Sequence, residues 1–219
     1  MHSLDSERGV ETPDAHAAPL SLPPEEQARA DMYGLLARLL LSPPDDALLG
    51  GLACADALGS ADSDQALDCA WEQLSLTARL LPFDVVRDEF NYLFISTSIP
   101  RINPYGSLYI AGFLHEKPLA ALRTDLAHLG LGRRRGAFET EDHLGALCET
   151  MRHLIVDGRG LARQHGFFAM HIAPWSGMCV EHVRQAEGAR FYARVADLVS
   201  AFFAIEHEAF EVAEDDAPD

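Results

Sequence analysis

The chain has 219 residues, enough for one ordinary domain that buries a full apolar core without disulfides or metal. Hydrophobic residues make up 48%, which predicts folding, while 17 basic against 34 acidic side chains leave a formal charge of −17. That balance excludes nucleic acid, whose phosphates demand a basic face, and is unfavourable for anionic membranes; it suits a partner carrying positive charge.

Residues 1–22 mix Asp, Glu, Pro, Ala and His without periodicity and read as a disordered N-terminal tail, with no basic region leading into an apolar run as in a secretory signal. Pro23-Pro24-Glu25-Glu26 opens a helix, with Ala28, Met32, Leu35, Leu36, Leu39 and Leu40 as its buried face. The apolar run from Leu35 to Leu41 is interrupted by Arg38 and is too short to span a bilayer. Ser42-Pro43-Pro44 stops the helix, and further helices follow at about 44–58, 64–80 and 83–95, with Asp64 as a cap and Pro82 as a divider. Residues 96–116 contain Pro100, Pro104, Gly106 and Gly112 and read as the longest loop.

Helices resume at about 117–129 and 140–157, each stopped by glycines, then at 160–170 and 174–187. Over 140–157 the residues Leu144, Leu147, Cys148, Met151, Leu154 and Ile155 recur at spacings of three and four, which buries one stripe. A long helix from Ala189 to about Glu211 carries Val195, Leu198, Val199, Phe202, Phe203 and Ile205 on its core side. From Glu206 to Asp219 there are seven acids and no Lys or Arg, so residues 212–219 read as an acidic tail. No alternating strand pattern and no repeat occurs. The expected fold is all-α, a single globular domain of about nine to ten helices over residues 23–211.

Cys54, Cys69, Cys148 and Cys179 form no CxxC pair, and Cys148 falls on an apolar stripe, which points to reduced, structural thiols in a reducing compartment. None of the ten histidines follows a glutamate by three residues, and Cys179-x-x-His182 and Asp125-x-x-His128 each stand alone, so neither a di-iron nor a zinc site is expected. Glycine-rich nucleotide loops and the Gly-x-Ser-x-Gly nucleophile motif are also lacking.

Two segments concentrate the remaining signal: Tyr92-Leu93-Phe94 leading to Pro104-Tyr105-Gly106-Ser107, and Glu139-Thr140-Glu141-Asp142-His143-Leu144. In the second, Thr140 can cap a helix whose positive end faces Glu141 and Asp142. Adjacent helical residues point about 100° apart, so Asp142 is badly placed to orient the His143 ring as a catalytic dyad would. The structural alternative is that Asp142 caps the helix while His143 bonds to a loop packed over it. On spacing alone, Tyr92, Leu93 and Phe94 belong to a core.

In order along the chain, these motifs resemble the TorD/DmsD/NarJ group of redox-enzyme maturation chaperones, and the TorD-like branch in particular. Asp88-Glu89-Phe90-Asn91-Tyr92-Leu93-Phe94 is similar to the family's Glu-(Phe/Tyr)-x-x-Leu-Phe helix end. Pro104-Tyr105-Gly106-Ser107-Leu108-Tyr109 is similar to its Pro-(Tyr/Trp)-(Glu/Gly)-Ser-x-(Tyr/Phe) loop, and Glu139 to Leu144 to its Glu-x-x-Asp-His-(Leu/Ile) signature. Gln164-His165-Gly166-Phe167-Phe168, His171-Ile172-Ala173-Pro174-Trp175 and Phe191-Tyr192 complete the series, which covers about residues 26–210. Glu141 stands where the family commonly has proline, and the stretch from Leu93 to Pro104 departs from the usual glycine and proline pattern.

The resemblance implies a cytoplasmic, system-specific chaperone rather than an enzyme. It implies as partner the precursor of a molybdopterin oxidoreductase and its twin-arginine signal peptide, and no cofactor of the chaperone's own. It implies a client-binding site at Leu93, Phe94, Pro104, Tyr105, Ser107, Tyr109, Asp142 and His143. Asp142 would pair with an arginine of the peptide, and His143 would shape the polar rim or respond to protonation near neutral pH. The internal Arg133-Arg134-Arg135 is neither N-terminal nor followed by an apolar run, and is not itself such a leader. Two other readings stay open: an assembly subunit that remains with a redox enzyme, and an acid/base enzyme using Asp142 and His143. The chain is compatible with a monomer or a domain-swapped dimer.

Overall fold

Proline and aspartate set most of the helix boundaries. The computed structural model describes residues 22–58, 64–95, 100–114, 116–132 and 139–215, and among these the chain forms ten α-helices and no strand. Helix α1, Pro24–Leu41, begins with proline in its first turn, where the missing N–H has no helical partner to lose, and stops before Pro43. Helix α2, Asp46–Cys54, is capped by Asp45, which accepts from Leu48 N–H at 2.7 Å. Helix α3, Gln65–Leu80, is capped by Asp64, as its sequence predicts. Helix α4, Phe83–Phe94, follows Pro82.

Helix α5, Gly106–Ala111, lies inside the segment read as a loop, and α6 spans Lys117–His128. Helix α7, Leu144–Val156, is followed by α8, Leu161–His171, and α9, Ala173–Gln185, which are separated by Ile172 alone ahead of Pro174. Helix α10, Phe191–Asp215, is the longest at 25 residues and runs four positions past the end expected at Glu211. Of the tails expected at 1–22 and 212–219, residues 1–21 and 216–219 lie outside the described residues, as does Arg133-Arg134-Arg135, while 212–215 continue α10.

Helix α1 lies along α7, and α10 packs on α3, α8 and α9. The buried stripe of α7 is the one its spacing predicts. On α1 the stripe is rotated from the expectation: Tyr33, Leu36, Ala37, Leu39 and Leu40 are buried, whereas Ala28 is exposed. The rotation has a polar cause. Glu206 of α10, 1% exposed, accepts two hydrogen bonds from the Arg29 guanidinium (both 2.7 Å) and one from Tyr33 Oη–H (3.0 Å), which turns the Arg29–Tyr33 side of α1 inward. The α1–α7 crossing is tight at Gly145, where a Cβ would come within 2.7 Å of Leu41 Cγ.

The first motif also serves the frame. Glu89 on α4 is buried and accepts from the backbone N–H groups of Arg190, Phe191 and Tyr192 at 2.8, 3.1 and 2.8 Å. It therefore caps α10 from another helix, at the positive end of its dipole. Phe90 and Phe94 pack against Tyr192 directly beneath that cap, with ring centroids 5.6 and 5.1 Å apart.

Candidate functional site

The two signal-bearing segments meet through a short antiparallel bridge between Tyr105 and His143. Gly106 N–H donates to the Asp142 carbonyl at 2.9 Å, and Leu144 N–H donates to the Pro104 carbonyl at 2.8 Å. Side chains reinforce the bridge. The Asp142 carboxylate accepts from Ser107 N–H (2.9 Å) through Oδ2 and from the Thr140 hydroxyl (2.6 Å) through Oδ1. Asp142 thus caps α5, the helix across the bridge.

The cap of α7 is His143, whose Nδ1 accepts from Gly145 N–H at 3.1 Å. These roles reverse the sequence expectation, in which Thr140 or Asp142 caps the helix and His143 bonds to the loop; the helix begins at Leu144 and not at Thr140. The cause is the turn over 140–143, which points Asp142 across to α5 and leaves the imidazole as the acceptor next to the first free amides of α7.

An imidazole nitrogen that accepts is unprotonated, and burial holds His143 neutral by pulling its pKa well below the usual value. The ring therefore carries no charge near neutral pH. Tyr105 meets it edge-on at 5.0 Å, and its hydroxyl donates to Glu139. Burial, with Glu139 next in importance, drives the Tyr105 pKa up, so the phenol stays a donor. Glu141 accepts from Arg123 of α6 at 2.9 and 3.1 Å, which gives the residue in the usual proline position a tie to a second helix.

Helix α5 is seated on α9 through the downstream motif. Tyr109 stacks on Trp175 at 5.4 Å, and its hydroxyl lies 3.0 Å from His182 Nδ1. Trp175 Nε1–H donates to the His171 carbonyl (2.7 Å), and His171 Nε2 lies 2.8 Å from Asp125 Oδ2. Gly106 permits the seat, since a Cβ there would lie 3.0 Å from Trp175 Nε1.

Of the residues expected to line a groove, Pro104, Tyr105, Ser107, Asp142 and His143 are brought together, and Tyr109 adjoins them through α5. Leu93 and Phe94 are core residues. Between Phe94, Pro104 and Leu144 lies an apolar void of about 10 Å³. Asp142 is 3% exposed with both oxygens bonded, and His143 is 5% exposed. Tyr105 and Tyr109 are half-buried and face partly outward.

Exposed apolar side chains follow one turn further on, at Ile110 (49%), Phe113 (71%) and Leu114 (43%). Sequence reasoning passed over these residues because they fall in the presumed loop. The run Leu108-Tyr-Ile-Ala-Gly-Phe-Leu114 is unusually apolar for a loop and was the available signal.

Among the described residues no cluster of three metal-binding side chains occurs, and no helix is long and apolar enough to cross a membrane.

A family described as nitrate reductase delta subunit matches residues 60–181. Chaperone protein TorD of Vibrio parahaemolyticus is 26% identical over 126 residues, covering 52% of this chain and 59% of the relative. TorD of Vibrio cholerae serotype O1 is 26% identical over 125 residues, covering 52% and 57%. The matches thus span less than two thirds of these curated relatives. A crystal structure described as a redox enzyme maturation protein from Archaeoglobus fulgidus superposes with a TM-score of 0.52 at 19% identity, covering 81% of this chain and 93% of that one. The superposition shows a shared helical fold. The chain belongs to the nitrate reductase delta subunit family, the TorD/NarJ-type chaperones of redox-enzyme maturation.

Proposed function

We propose that this chain is a system-specific cytoplasmic chaperone. It binds the precursor of a molybdopterin-containing oxidoreductase, in large part through a twin-arginine signal peptide, and holds it until the cofactor is inserted and before export. The observation that carries this reading is the α5 face: a short helix locked from below by Asp142 and Trp175, with Ile110, Phe113 and Leu114 exposed beside Tyr105 and Tyr109. A signal peptide has an apolar segment that can lie on such a face as a helix, and its cationic end is attracted by a chain of charge −17.

In this reading Leu93, Phe94, Pro104, Ser107, Asp142 and His143 act from beneath, by setting where α5 sits, while Tyr105 and Tyr109 touch the client. No covalent chemistry is assigned to the site, because Asp142 is committed to Ser107 and Thr140 and His143 to Gly145.

Tagged protein expressed in its own host should co-elute with an oxidoreductase precursor that retains its leader. Deleting the leader should sharply reduce recovery, and equal recovery without the leader would overturn the signal-peptide assignment. The delta-subunit description of the family favours one rival, retention in the finished enzyme. Finding the chain in stoichiometric amount in the purified mature enzyme would establish that rival instead.

A further inference from the structure

Tyr92 stands beside Leu93 and Phe94 in the first motif, but unlike them it faces outward, 43% exposed. Its ring lies against the turn between α9 and α10. Gly188 in that turn has a φ of 85°, and a Cβ added to it would come 3.3 Å from Tyr92 Cε1. The Arg101 guanidinium lies over the same ring, with Cζ 4.3 Å from the centroid. Arg101 Nη1 is also 3.8 Å from Glu187 Oε2, in the same turn. The turn is a firm support, because Glu89, one turn before Tyr92 on α4, caps the first amides of α10.

Arg101 belongs to the segment 100–105 that leads into α5. Within it Ile102 is buried and its N–H donates to the Leu93 carbonyl at 3.0 Å, while Asn103 Nδ2–H donates to the Pro100 carbonyl at 3.3 Å. The Pro104 carbonyl accepts from Leu144 N–H at 2.8 Å. Helix α5 begins at Gly106, so a shift at Arg101 has only a short, bonded stretch in which to dissipate before it reaches the helix.

We propose that Arg101 is a positioning residue for the α5 face. By stacking on Tyr92 and pairing with Glu187 it clamps the segment to the α9–α10 turn, and so fixes where Ile110 and Phe113 are presented. Arginine suits this task because its planar head can lie on a ring while its edge donors still face a carboxylate. The stack is the larger part: at 3.8 Å, with Glu187 85% exposed, the ion pair is screened by solvent. The consequence for client binding rests on the function proposed above, whereas the clamp itself does not.

The test follows amide hydrogen exchange of the full chain at Ile102 and over 106–111, with the NMR signals of the Arg101 side chain reporting the stack. Arg101→Gln should quicken exchange at these amides about three- to fivefold and leave the α7 amides unchanged. Tyr92→Phe keeps a ring, and should retain both the ring-shifted Arg101 signals and the parent's exchange. Tyr92→Leu should lose the shift and quicken exchange as much as Arg101→Gln does. Because both changes break one contact, the double variant should be no faster than either single variant. Unchanged exchange in Arg101→Gln, or additive effects in the double variant, would overturn the clamp. Capture of the leader-bearing precursor should fall about threefold in Arg101→Gln and in Tyr92→Leu, and recover in Tyr92→Phe. A fall in Arg101→Gln alone would make Arg101 a client contact and overturn its positioning role. Faster exchange with undiminished capture would uphold the clamp and count against α5 as the client face, so the two failures are separable.

Discussion

The Asp142 carboxylate accepts from the backbone N–H of Ser107, 35 positions earlier, at 2.9 Å. Through this bond the acid of one motif caps the helix that begins in the other. Because Ser107 N–H and Asp142 are both buried, Asp142→Ala leaves a buried donor unsatisfied and should cost about 1–3 kcal/mol. Urea unfolding measures the loss. Amide exchange should quicken first over 106–111, the helix that loses its cap, and unchanged protection there would contradict the assignment.

Acid should weaken the fold through His143. Its folded pKa is depressed by burial, so above the ordinary value of 6.5 the imidazole is neutral both folded and unfolded, and its contribution is intact. As pH falls below 6.5 the unfolded chain takes up the proton first, and stability drops until the folded pKa, about 4, is passed. His143→Asn keeps an acceptor for Gly145 N–H but cannot titrate. Urea midpoints compared at pH 7 and pH 5 should differ less in this variant than in the parent.

Gly145→Ala should destabilise by about 1–3 kcal/mol, since the new methyl meets Leu41 at the α1–α7 crossing. Gly177→Ala, in mid-α9 with nothing within 4 Å of the added carbon, should instead stabilise by up to about 1 kcal/mol. Opposite shifts in melting temperature are the readout, each about 2–4 °C per kcal/mol for a chain of this size.

Removing Glu206 should be among the most damaging single changes. Glu206→Ala leaves the Arg29 guanidinium with Glu26 as its remaining partner and orphans the buried Tyr33 hydroxyl, at a cost of about 3–5 kcal/mol. The apolar pair Arg29→Met with Glu206→Leu should recover much of that, because no charge is then left inside. Equal loss in the single and double variants by calorimetry would show that the ion pair itself, rather than the orphaned charge, matters.

On the α5 face, Ile110→Asp with Phe113→Asp alters exposed side chains and should change stability by no more than about 0.5 kcal/mol per site. Capture of the precursor should fall about tenfold or more, equivalent to at least about 1.4 kcal/mol of binding. Undiminished capture would move the client to another surface.

Helix number, the α7 stripe, the Asp64 cap and the proline start of α1 were legible because they depend on neighbours within a turn or two. Helix α5 was not legible. It has six residues, starts on glycine, and depends on Asp142 and Trp175, which are far away in the chain. The α1 face was misjudged for a similar reason: Arg29 and Tyr33 turn inward toward Glu206, 177 and 173 positions later.

The order of motifs along the chain, and with it the family and the all-helical fold, was contained in the sequence alone, since helix periodicity and the spacing of motifs are local properties. What each motif residue does was decided by tertiary structure. Glu89, Asp142, His143 and Trp175 were visible as signals, yet they fasten helix ends and seat α5, because the amides and carbonyls they satisfy become their neighbours only once the helices pack. That packing also left Ile110 and Phe113 exposed, outside every motif that made the chain recognisable.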